Sequence, residues 1–89
     1  MEESFGIASF RSRQQVMAFE RTLRRLGLSV SVITTPRAVA LGCGLSVRFH
    51  LEDAQDVQDV YKVMKGTNLI GFYRVDRMNG KTQVSALGG

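Results

Sequence analysis

Ser4 to Thr34 reads SFGIASFRSRQQVMAFERTLRRLGLSVSVIT, and the hydrophobic period changes twice along it. Ser4–Phe10 is a short apolar run bounded by polar residues, which predicts a first strand. From Ser12 the apolar positions Val16, Phe19, Leu23 and Leu26 recur at spacings of three and four, so they share one face of a helix whose other face carries Arg21, Arg24 and Arg25. Ser12 followed by Gln15 fits a capping box, and Gly27 fits a left-handed stop. Leu28–Thr34 is β-branched and serine-rich, which predicts a second strand, ended by Pro36.

The remainder extends this pattern. Leu45, Val47 and Phe49 alternate with Ser46, Arg48 and His50, a third strand with one apolar and one polar face. Asp53 and Asp56 open a second helical period through Val57, Val60, Tyr61 and Met64, which Gly66 closes. Leu69–Val75 predicts a fourth strand, and the Asn79-Gly80 turn folds Lys81–Ala86 back as a fifth, at the edge. The order strand, helix, strand, strand, helix, strand predicts an α+β, ferredoxin-like βαββαβ domain: an antiparallel sheet, two helices on one face and a C-terminal hairpin extension. Residues 1–89 form one domain in this reading, with a core over 4–76 and an edge hairpin and flexible tail over 77–89.

Composition narrows the function classes. The 89-residue chain has one Cys and one His, too few for a zinc cage within one chain, so no metal and no cofactor is expected. The acidic start, Met1-Glu2-Glu3, and the lack of a long apolar stretch point away from a secretory signal or membrane span and toward the cytoplasm. The net charge of +4 is unevenly spread. Through Arg48, seven arginines (Arg11, Arg13, Arg21, Arg24, Arg25, Arg37, Arg48) face three acids; from Phe49 onward five basic residues balance five acids. Such a field favours an anionic ligand, a nucleic acid or an acidic partner surface. The polar face of the third strand offers no aromatic stacking platform, which disfavours nucleic acid.

Cys43 stands between Gly42 and Gly44, which leave it few side-chain neighbours. Free cysteine often packs as a small hydrophobe, and the alternative reading of this chain is a binding or dimerisation module in which Cys43 is structural and the helix-free sheet face meets a second copy. Against that stands the predicted topology, which gathers Cys43, Arg37 and the first helix's N-terminus at one end. Positive charge and free backbone N–H groups favour a thiolate, so Arg37, Ser12, Arg13 and Arg11 are the candidate anion-stabilising residues, with Gly42 and Gly44 giving access. The same residues would suit a phosphate or sulfate. A Cys–His hydrolase fits poorly, since His50 lies seven residues along an extended segment, ~20 Å away. No Cys-x-x-Cys pair is present either, so the chain reads as a carrier or binder more than an independent catalyst.

Phe10-Arg11-Ser12, Glu20, Leu26-Gly27, Pro36-Arg37 and Cys43-Gly44-Leu45 together resemble a small bacterial family of selenium/sulfur carrier-like proteins, over Phe5 to Tyr73. The resemblance implies sulfur or selenium held on Cys43 as a persulfide or selenosulfide, with a cysteine desulfurase-type donor and a separate acceptor protein as partners. Two departures stand out. Val39, Ala40, Leu41 and Gly42 are apolar or bare where the family often has polar residues, which points to a more enclosed thiol. The tail beyond Asp76 outruns the family's usual end; its Gly88-Gly89 resembles the diglycine end of ubiquitin-like sulfur carriers, whose order of elements differs.

Overall fold

The computed structural model describes the whole chain apart from Met1, Ala40, Leu41, Lys65, Thr67 and Gly89. The elements, in order, are β1 (Glu3–Phe10), α1 (Arg13–Arg25), β2 (Val30–Thr34), β3 (Leu45–Phe49), a 3-10 turn (Leu51–Asp53), α2 (Ala54–Met64), β4 (Leu69–Met78) and β5 (Lys81–Ala86). The fold is α+β: a five-stranded sheet of order β2-β3-β1-β4-β5, every neighbouring pair antiparallel, with two helices.

Alternation along each strand divides the core between the two sheet faces. Ala8 and Phe10 of β1 join Val47 and Phe49 of β3, and against them pack Val16, Phe19 and Leu23 of α1 and Val57 of α2. Both helices therefore cover one face. Four rings knit that layer: Phe10, Phe19 and Phe72 each lie with ring centroids 5.5–6.1 Å from a neighbour in the set, and Tyr61 touches all three. Gly6 is required here, because a Cβ would stand 2.2 Å from the Phe49 ring.

The opposite face is not bare, contrary to the expectation of an open sheet. Phe5, Ile7 and Val75 are at most 1 % exposed, with Ile33, Val39, Tyr73 and Val84 packed around them. Val39 comes from the β2–β3 connection, so that loop covers part of this face. Arg48 and Arg77 cover another part: their guanidinium carbons lie 3.9 and 5.1 Å from the Phe5 ring centroid. Both also bond Glu3, at 3.2 and 3.0 Å. Ser46, assigned to a polar, solvated face by the alternation of β3, is fully buried there. Its hydroxyl bonds Ser9 and Thr35, each at 2.7 Å. A polar residue in the strand pattern has become interior because a loop lies over it.

Three local expectations change. Ser12 is the N-cap of α1, but its side chain makes no capping bond; its carbonyl accepts from Gln15 and Val16 at 3.1 and 3.2 Å, so the capping box is not formed. At the other end Gly27 (φ 87°) closes a Schellman arrangement, with Leu28 N–H donating to Leu23 O at 3.1 Å and Gly27 N–H to Arg24 O at 3.0 Å. β4 runs three residues beyond Val75, because β5 pairs with it as far as Met78–Lys81 across an Asn79-Gly80 turn with both residues at positive φ. The tail is anchored as well: Leu87 N–H donates to Phe72 O at 2.9 Å, its side chain packs on the helix-side core, and Gln58 Nε2 donates to Gly88 O at 3.3 Å. Gly89 lies outside the described residues.

Candidate functional site

Strand directions bring one set of loops to a single end of the sheet. β1 ends at Phe10, and α1 begins three residues later at Arg13. Cys43 N–H donates to Phe10 O at 3.2 Å, which holds the cysteine beside the turn into α1. Arg11 N–H donates to Asn68 O at 2.7 Å, drawing the start of β4 to the same place. Here the β1–β4 register slips: Ser9 faces Gly71 but Phe10 faces Leu69, leaving Ile70 as an extra residue. Ile70 and Phe10 O form the floor beneath Gly42.

The loop carrying Cys43 is shaped by turns. Val39 N–H donates to Pro36 O at 2.9 Å, closing a tight turn, and Thr35 N–H donates to Gly44 O at 2.9 Å, extending the β2–β3 ladder by one pair. Gly42 (φ 109°) and Gly44 (φ 86°) flank the cysteine in a backbone region that L side chains rarely adopt. Both are exposed, whereas Cys43 is half-buried. Its side chain packs on the helix-side core, and Sγ is 3.8 Å from Leu45 O, toward which an S–H can point. Ala40 and Leu41, part of the apolar approach read from the sequence, lie outside the described residues.

The structure thus places Cys43 next to the segment Phe10-Arg11-Ser12 through backbone bonding. The Cys43 Sγ bond is to a carbonyl, and none of the described hydrogen bonds joins it to an arginine. Arg11, Arg13 and Arg37 are exposed, and among the described residues none forms an ion pair. His50 follows β3 at the end opposite to Cys43. Three residues that support this end escaped the sequence reading. Ser9, Ser46 and Thr35 form a hydroxyl chain, buried at Ser9 and Ser46 and half-buried at Thr35, and only the run of small hydroxyl side chains at strand ends hinted at it.

With that geometry in view, comparison with known families gives a match over residues 5–74 to the family described as "Putative Se/S carrier protein-like". The chain belongs to this family. Comparison with curated proteins and with solved structures gave no match. The match to the Se/S carrier protein-like family runs from the first buried aromatic of β1 to within four residues of the end of β4. It spans Cys43 and stops short of β5, so the edge hairpin and docked tail lie outside the region this family defines. Among the described residues no helix is long and apolar enough to cross a membrane.

Proposed function

We propose that this protein is a sulfur or selenium carrier that holds the chalcogen on Cys43 as a persulfide or selenosulfide. The carrying observation is the placement of the chain's one thiol within the matched region. It is half-buried, flanked by two exposed glycines and tied to the turn into α1. In the loading step the Cys43 thiolate attacks the outer sulfur of a donor's cysteine persulfide. The donor S–S bond breaks, the donor thiolate leaves and takes a proton, and the exchange involves no net oxidation. Arg11, Arg13 and Arg37, exposed and without an ion pair among the described residues, are the candidate contacts for an acidic partner surface that docks at this end. Packing against the core shields the product from a second thiol until an acceptor docks. The donor is a cysteine desulfurase-type enzyme and the acceptor a second protein, in a reducing, cytoplasmic setting.

The strand order β2-β3-β1-β4, with helices between β1 and β2 and between β3 and β4, supports reading the scaffold as a ferredoxin-like domain with β5 added at one edge. Intact mass spectrometry tests the function. Incubation with a cysteine desulfurase and cysteine is expected to add one sulfur that dithiothreitol removes, and Cys43→Ser is expected to show none. A wild-type protein that stays unmodified, or an adduct that persists in Cys43→Ser, overturns the reading.

A further inference from the structure

The outer surfaces of the two helices carry rows of opposite charge without an ion pair among the described residues. On α1, Met17, Arg21 and Arg25 follow one another at four-residue intervals, all exposed, with Met17 41 % exposed despite being apolar. Arg24 pairs with Glu20, but among the described residues Arg21 and Arg25 have no ion pair. On α2, Asp56, Asp59 and Val63 form the matching exposed row, and Val63 is 82 % exposed. Among the described residues neither aspartate has an ion pair, and Asp59 accepts from its own helix, from Gln55 Nε2 at 2.9 Å. Each row therefore sets an apolar residue beside two like charges, and on α1 Arg13 stands one turn before Met17.

Helix directions decide how such rows can meet. β1 is antiparallel to both β3 and β4, and β2 is antiparallel to β3, so α1 and α2, each returning along the sheet, run antiparallel to one another. A two-fold axis along the groove between the helices lays α1 of one copy over α2 of another, again antiparallel, twice. A two-fold across the groove would instead lay α1 on α1 and oppose arginines to arginines. In the first arrangement the registers agree: Met17 meets Val63, Arg21 meets Asp59 and Arg25 meets Asp56. A shallow depression lined by Leu26, Leu28, Asp56, Asp59 and Val60 lies where the stem of the partner's Arg25 would rest. The opposite sheet face offers a second copy less, since its apolar residues are already covered by their own chain.

We propose that two copies of this chain associate through the α1–α2 layer, with Arg21 and Arg25 of each against Asp59 and Asp56 of the other around a Met17–Val63 contact. The proposal is independent of Cys43's chemistry. Sedimentation velocity over a micromolar concentration series tests it. The wild type is expected to dimerise. Arg21→Glu and Asp59→Arg, both at exposed positions that leave the core untouched, are each expected to weaken the dimer at least about tenfold. The double variant Arg21→Glu/Asp59→Arg restores opposite charges at both symmetric contacts and is expected to recover association. A wild type monomeric throughout, as it would be if these rows served a different acidic or basic protein, overturns the proposal. So do single reversals without effect, or a double variant that fails to recover.

Discussion

Two glycines flank Cys43, and they serve different ends. At Gly42 the backbone has φ 109° and a Cβ would lie 2.6 Å from Ile70 Cδ1 and 2.7 Å from Phe10 O, so both conformation and space forbid a side chain. At Gly44 φ is 86° but nothing lies within 4 Å of that Cβ. Gly44→Ala is expected to cost only the left-handed penalty, about 1–2 kcal/mol, while Gly42→Ala costs clearly more and displaces the loop from Phe10; urea unfolding of both variants measures the difference. Below the loop, Ser46 is fully buried between the hydroxyls of Ser9 and Thr35. Ser46→Ala leaves those groups without their shared partner and is expected to destabilise by about 1–3 kcal/mol in the same assay. The thiol itself, half-buried, is expected to label in the native protein more slowly than after denaturation; labelling confined to the denatured protein would oppose a carrier role.

At the scale of elements, β1 is pinned at its start by charge and at its end by a loop. Glu3 accepts from Arg48 on β3 and Arg77 on β4, and these bonds, Arg48's first, hold its carboxyl below the ordinary carboxylate range. Asp76 is lowered likewise, chiefly by the Ser4 hydroxyl and then by Arg74. A carboxylate whose folded pKa lies below its unfolded one stabilises the fold above the unfolded value and loses that contribution as pH falls through the folded value. The urea midpoint of the wild type is therefore expected to fall on acidification below about pH 5, and Glu3→Gln to show a shallower fall. The β4–β5 hairpin, beyond the matched family region, covers Val75 with Val84 and ends in the docked Leu87. Leu87→Ala removes apolar contact at the helix-side core and is expected to lower the thermal midpoint by a few degrees, read by circular dichroism.

At the scale of the molecule, charge and topology act together. Of the arginine excess of the first half, Arg21 and Arg25 lie exposed on α1, and of the acids of the second half Asp56 and Asp59 lie exposed on α2, so one antiparallel helix pair carries both signs. Periodicity by itself determined the element types, because burying one stripe of α1 or one face of β3 requires spacings that no other backbone satisfies. It also identified the turn glycines Gly27 and Gly80 and the lone thiol. Tertiary structure alone decided what covers the second sheet face, since Val39 comes from a loop and Arg48 and Arg77 lay their guanidinium groups over Phe5, and no periodic pattern records such coverage. For the same reason the burial of Ser46, the docking of Leu87 and the half-buried state of Cys43 were decided by what folds over each residue: a residue's own polarity states its preference for water, and only its distant neighbours determine whether water reaches it.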